Sequence, residues 1–174
     1  MLKLNIQNSE IYFKDIHFEQ LPTILEWYNR VDEFKYATGI DKPITLEDLI
    51  RRYAEVSISS SEFFSAIYLR SQGRMIGILK GRIRFKNKLA VWISSIVIEP
   101  LFQNKGYGIK SIELLLGYLK ANLNVHGAFL SVISENKKGR NFWDKLGFNE
   151  VRKMNNYSHL EGKSQDVFIL YKSN

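Results

Sequence analysis

Val91-Trp92-Ile93-Ser94-Ser95-Ile96-Val97-Ile98-Glu99-Pro100 runs into Leu101-Phe102-Gln103-Asn104-Lys105-Gly106-Tyr107-Gly108-Ile109-Lys110, and then into Ser111-Ile112-Glu113-Leu114-Leu115-Leu116-Gly117-Tyr118-Leu119-Lys120. The first ten residues are apolar and β-branched until Pro100, which has no N–H to extend a ladder, so a strand is predicted to stop there. Beyond Gly108 the apolar residues Ile109, Ile112, Leu115, Leu116 and Leu119 recur three and four apart, the spacing of one helical face. Between strand and helix lie Gly106 and Gly108, which free the backbone to bend and let a ligand approach without Cβ atoms in the way. The unpaired N–H groups that begin the helix point into this turn, and the helix dipole favours an anion there. The stretch therefore predicts a site for a diphosphate-sized anion at Gln103–Ile109.

Working outward, Ile11–Ile16 alternates as a first strand, and Phe18–Tyr28 places Leu21, Ile24, Leu25 and Tyr28 on one helical face, with Pro22 near its start. Residues 29–43 are polar and mixed and read as irregular. Thr45 is an expected N-cap for a helix Leu46–Val56, with Asp48 in the capping-box position. Phe63–Leu69, Met75–Phe85 and Leu89–Ile98 read as three strands joined through Ser71-Gln72-Gly73 and Lys86-Asn87-Lys88. After the central helix, Phe129–Ile133 reads as a buried strand. Asn136 is an expected N-cap for a helix ending at Leu146, with Gly147 as its left-handed stop. Two last strands, 149–157 and 165–172, flank a turn containing Gly162. The whole is an α/β (α+β) domain with a mixed sheet, and with no linker or repeat to divide it, residues 1–174 are expected to form one domain.

Composition narrows the function classes. No apolar run reaches the ~18 residues needed to span a bilayer, and the N-terminal residues lack the apolar stretch of a secretion signal. The absence of cysteine excludes disulfides and thiolate chemistry. A cytoplasmic protein without a membrane partner is expected. His17, His126 and His159 have no zinc-ligand spacing, and no metal is expected. The formal net charge of +7 conceals an asymmetry. Residues 1–62 hold seven Lys/Arg and eleven Asp/Glu, whereas the remainder holds eighteen basic and seven acidic residues, a net +11. A basic C-terminal part suits a polyanionic ligand or is simply a solvated face. No helix-turn-helix, finger or RNA-binding aromatic motif accompanies it, so nucleic acid is not the expected partner. The glycine loop is no Walker A, since no Gly-Lys-Ser/Thr follows.

Two blocks together resemble the GNAT acetyltransferase superfamily. Ile96-Val97-Ile98-Glu99-Pro100 with Gln103-Asn104-Lys105-Gly106-Tyr107-Gly108 is similar to that family's Gln/Arg-x-x-Gly-x-Gly/Ala loop. Asn136 to Gly139 with Phe142-Trp143-Asp144-Lys145-Leu146-Gly147-Phe148 is similar to its downstream Tyr-Glu-Lys-Leu-Gly-Phe block. The resemblance implies a mostly antiparallel sheet of six to seven strands with helices on both faces, splayed between the fourth and fifth strands. It implies acetyl-coenzyme A as cosubstrate and an amine acceptor, either a small molecule or a protein N-terminus. Carried over, main-chain groups of Ile96, Val97 and Ile98 would pair with the pantetheine arm and polarise the thioester carbonyl. The loop Gln103, Asn104, Lys105, Gly106, Tyr107, Gly108 and Ile109 would hold the pyrophosphate, and Asn136 would reach the pantetheine from the other side. Lys137, Lys138 and Arg140 occupy a first helical turn, where the dipole disfavours each cation by up to ~1 kcal/mol. They are either partners for the 3′-phosphate of coenzyme A or merely solvated.

Acetyl transfer needs a neutral amine, a stabilised oxyanion and a departing thiolate. An amine with a pKa of ~10.4 must lose its proton, while a thiol with a pKa of ~8.5 leaves fairly well. The chain departs from the family where Trp143 replaces the tyrosine that serves as general acid; an indole N–H is no practical proton donor. Trp143 either walls the thiol site or packs in the core, and Ser134 offers a hydroxyl toward the sulfur. Glu99, at the end of the splayed strand, is the candidate base, with water as the alternative. On the acceptor side Asp32, Glu33 and Asp41, with Glu26, Glu47 and Asp48, either attract a cationic amine such as a polyamine or dress helix ends. Tyr28, Phe34 and Tyr36 form an aromatic wall there or pack in the core. The rival to an enzyme is a catalytically degenerate acyl-coenzyme A sensor or scaffold of the same fold. Apolar residues on the last strands could pair two copies edge to edge as a homodimer.

Overall fold

A computed structural model of the chain describes residues 1–85 and 88–174. Seven strands form one sheet: β1 (Ile11–Asp15), β2 (Glu62–Leu69), β3 (Arg74–Phe85), β4 (Leu89–Ile98), β5 (Gly127–Ile133), β6 (Asn149–Leu160) and β7 (Lys163–Ser173). Their spatial order is β1-β2-β3-β4-β5-β7-β6. Every neighbouring pair is antiparallel except β4 and β5. The turn expected at 86–88 lies, at 86 and 87, outside the described residues.

Five helices cover the sheet: α1 (Leu21–Tyr28), α2 (Val31–Thr38), α3 (Leu46–Ser57), α4 (Tyr107–Leu123) and α5 (Lys137–Lys145). The first three share one core with Phe64, Ala66, Ile78 and Val97. The last two share the opposite core, where Ile112, Leu115, Leu119, Trp143 and Leu146 meet Phe63, Ile67, Leu79 and Ile93. Adjacent strand residues such as Phe63 and Phe64 thus enter different cores, which is why the central strands are apolar on both faces. Among the described residues no helix is long and apolar enough to cross a membrane.

Local signals explain the helix ends. Thr45 Oγ1 accepts from the Asp48 N–H at 3.2 Å, while the Thr45 N–H donates back to Asp48 Oδ2 at 3.1 Å, closing the capping box ahead of α3. Asn136 Oδ1 accepts from the Gly139 N–H at 2.8 Å and starts α5. The expected helix 18–28 begins with a 3-10 turn, Phe18–Gln20, before α1. The segment expected to be irregular contains α2. Its single buried residue, Phe34, left little apolar periodicity to read, while Asp32 and Glu33 favour its first turn and Gly39 ends it at φ +71°.

Candidate active site

Two irregularities of β4 make the site. Against β3, Lys80 pairs with Ser95 but Gly81 pairs with Ile93, so Ser94 is an extra, bulged residue. Against β5, register exists only at Val91–Ala128 and Trp92–Phe129. Beyond Trp92 the two parallel strands diverge, and the β5-facing main chain of Ile96, Val97 and Ile98 has no strand partner. The bulge twists β4 away from β5 just where the gap opens. Such a cleft, flanked by unpaired backbone donors and acceptors, is built to receive an extended amide-bearing chain.

The anion loop closes one end of this cleft. Gln103 Nε2 donates to the Ile98 carbonyl at 2.8 Å, tying the loop to the end of β4. Asn104 and Gly106 both adopt left-handed backbone, at φ +59° and +83°. Alternating such residues with right-handed ones turns successive N–H groups toward one concavity. Gly106 caps α4, whose first intrahelical bond runs from the Lys110 N–H to the Gly106 carbonyl at 3.0 Å. The N–H groups of Tyr107, Gly108 and Ile109 are therefore free at the helix N-terminus. At Gly108 the constraint is space: a Cβ would sit 3.1 Å from the Phe142 ring of α5. Lys105 lies over the Phe102 ring, and Lys138 Nζ donates to Gln103 Oε1 at 2.8 Å. Loop and α5 thus meet through Lys138 and Gln103, beside the free amides at the head of α4.

The remaining predicted residues lie on α5 and just after β4 and β5. Lys137 is exposed, and Arg140 leans on the Phe168 ring at 4.2 Å and approaches Glu150 at 3.8 Å. Trp143 packs into the core. Its indole is only 7% exposed and makes edge contacts with Phe142 and Phe148 at 4.7 and 5.1 Å between centroids. Glu99 follows β4, and both of its carboxylate oxygens accept from Arg74 Nη2, at 3.0 and 3.1 Å. Ser134 donates its N–H to the Asp166 carbonyl. Among the described residues no three His, Asp or Glu side chains gather as a metal set.

On the α1–α3 face, three of the six acidic residues singled out in the sequence are engaged. Glu33 pairs with Arg30, Asp48 with Arg51 and with its cap, and Asp41 Oδ2 accepts from the Glu161 N–H at 2.8 Å. Glu161 in turn accepts from Lys35 at 2.6 Å, which docks the β6–β7 turn on α2. Tyr28 and Phe34 are buried in the core. Sequence reasoning missed a cavity of about 100 Å³ beside the β4 bulge, lined by Tyr28, Thr38, Leu49, Arg52, Phe64, Lys80, Ser94 and Ser95. One signal was available: Lys80 lies in a strand whose neighbours Ile76, Ile78 and Leu79 are all fully buried. Burial pushes the Lys80 ammonium below the ordinary lysine range, against the pull of Glu62. Burial pushes the Tyr28 phenol up, with Arg52 acting the other way.

A mixed seven-stranded sheet splayed at its one parallel pair, with a glycine-rich anion loop feeding the next helix, is the architecture of the GNAT acetyltransferases. The acetyltransferase (GNAT) domain model matches residues 14–169, and the chain belongs to that family. It is similar to the spermidine N(1)-acetyltransferase of Vibrio cholerae, 33% identical over 76 residues; the match spans 44% of this chain and 44% of that enzyme. In fold it is similar to a Vibrio cholerae spermidine N-acetyltransferase solved with CoA and spermine, with a TM-score of 0.82 at 23% identity over 95% of this chain and 96% of that one. A Salmonella typhimurium acetyltransferase that modifies the N-terminal serine of ribosomal protein L7/L12 superimposes equally well, with a TM-score of 0.82 at 15% identity over 96% of each chain.

Proposed function

We propose that the chain is an acetyl-coenzyme A-dependent N-acetyltransferase that moves an acetyl group to a primary amine by direct attack, with both substrates bound in one domain spanning 1–174, in the cytoplasm. The observation that carries this reading is the divergence of β4 from β5 beside the free amides at the start of α4. In this reading the amides of Asn104 to Ile109, with Gln103 and Lys105, hold the pyrophosphate. The main chain of Ile96, Val97 and Ile98 holds the pantetheine and donates to the carbonyl oxygen as charge develops on it. Asn136 and Lys137 border the far side, and Trp143 sets the wall from within the core.

Bound acetyl-coenzyme A supplies an activated acyl carbon and a thiolate leaving group. The acceptor nitrogen attacks that carbon, a C–N bond forms, the C–S bond breaks, and the electron pair leaves on sulfur. The nitrogen's surplus proton passes to Glu99, the candidate base, which must first loosen its pairing with Arg74. The relatives named above act on a polyamine and on a protein N-terminus, and both are primary amines.

The test is release of free thiol from acetyl-coenzyme A with a panel of primary amines. Acceptor-dependent release is expected. Calorimetric binding of coenzyme A without turnover of any amine would replace the enzyme with a sensor of the same fold. In the same assay Glu99→Gln should lower kcat/KM by ~10²–10⁴ if Glu99 takes the proton; an unchanged rate assigns that proton to water.

A further inference from the structure

The cavity beside the β4 bulge carries the wrong charge for a polyamine. Two of its lining side chains are the cations Lys80 and Arg52, and no carboxylate lines it. Lys80 stands opposite Ser95 in the β3–β4 register, on the face that also presents Ile78 and Val97 to α1–α3. Among the described residues neither Lys80 nor Arg52 has a carboxylate within ion-pair distance, although the adjacent Arg51 pairs with Asp48. Ser95 Oγ is buried without a hydrogen-bond partner, and Tyr28 adds a phenol to the same wall. A half-buried ammonium, an exposed guanidinium and a buried, unpartnered hydroxyl line one small space. Leaving the buried hydroxyl unmatched is unfavourable, and a small oxyanion would satisfy it together with the two cations.

The cavity lies at the bulge where β4 leaves β5, so whatever fills it sits next to the gap assigned above to the thioester. We infer that the acceptor is an amine bearing an oxyanion, a carboxylate or a phosphate, which Lys80 and Arg52 bind while the amine faces the splay. This deepens the acetyltransfer reading and rests on it. The volume of about 100 Å³ is several waters' worth, room for the oxyanion and the few atoms that join it to the amine. A diamine entering the same way would set its second ammonium against two cations.

Matched acceptors test this. The coenzyme A-saturated full chain is titrated with 4-aminobutyrate, 1,4-diaminobutane, O-phosphoethanolamine and ethanolamine while the backbone amides of Ser94 and Ser95 are followed by NMR, and thiol release is measured with acetyl-coenzyme A. Saturable shifts are expected with 4-aminobutyrate or O-phosphoethanolamine and not with 1,4-diaminobutane or ethanolamine, which carry no oxyanion; which of the two responds separates carboxylate from phosphate. In kcat/KM the anionic member of its pair should lead by about tenfold or more, as a charged hydrogen-bonding pair warrants. Lys80→Met and, on the exposed helix surface, Arg52→Gln should each shrink that lead. A response to the diamine alone, no response to either anion, or undiminished preference in both variants overturns the inference. Saturable shifts at Ser94 and Ser95 with no thiol release from any acceptor leave the anion site standing and remove the acetyltransfer reading instead.

Discussion

Lys80 shows how a single residue can serve a ligand at the expense of the fold. Its side chain is half-buried between Phe64 and the β4 bulge, and burial holds its pKa below that of a free lysine. A lysine whose folded pKa is depressed binds its proton less tightly when folded than when unfolded. The penalty is therefore fully present while the group is charged, below the folded pKa. It is relieved as pH rises through that value toward the unfolded one of ~10.4. Lys80→Met should consequently raise the melting temperature of the ligand-free protein at pH 7 by one or two degrees, equivalent to roughly 0.5 kcal/mol. Calorimetric scans at pH 7 and pH 10.5 check this, with the gap between variant and parent narrowing at the higher pH. A lower melting temperature for the variant would mean that attraction to Glu62 and Glu55 outweighs desolvation. Residues of this kind were only half legible beforehand. A lysine among apolar strand residues reads equally as a surface snorkeller, and only the register that sets it opposite Ser95 shows where it points. Gly106 was legible because its reason is local, a left-handed turn, whereas the contact of Gly108 with the Phe142 ring joins residues far apart in the chain and could not be read beforehand.

At the scale of elements, what could be read was what the chain writes in consecutive residues. Thr45 and Asp48 mark the start of α3, Asn136 the start of α5, and Gly147, at φ +79°, its end. Thr45→Ala removes the acceptor for the Asp48 N–H and the reciprocal bond loses its geometry, so the protein should lose about 1 kcal/mol. Urea unfolding should show this as a lower midpoint at unchanged slope; an unchanged midpoint would mean that α3 is held by Leu49 and Val56 alone. The misses are of another kind. α2 buries only Phe34 fully, so a polar sequence concealed it. The bulge at Ser94 depends on how β3 and β4 are paired, a relation between distant residues that no window of sequence displays. The splay itself came from the resemblance and not from periodicity, because Ile93 to Ile98 would read as the same strand whether or not β5 followed alongside.

For the whole molecule, the charge asymmetry maps onto the layers. The acidic part, residues 1–62, supplies β1 and the three helices of one face, with some of its carboxylates engaged in caps and in pairs such as Asp48 with Arg51. The basic part supplies β3 to β7, α4 and α5, and hence both sides of the splay and the anion loop. A ligand held there would bridge β4, α4 and α5 across the gap, where β4 pairs with β5 only at residues 91 and 92. Coenzyme A binding the folded state alone should therefore stabilise it by mass action, about 2.7 kcal/mol at a hundredfold excess over Kd, or roughly 5–10 °C in melting temperature. Because the phosphates are to be met by ammonium groups and oriented amides, the shift at fixed coenzyme A should shrink as salt rises from 50 to 300 mM, by the screening expected for ~10 Å separations. Gly106→Ala strains a residue at φ +83° and disorders the amides at the head of α4, so its shift should be smaller than that of the parent at every salt concentration. Equal shifts in parent and variant would take the loop out of the binding site, leaving the splay alone to hold the ligand.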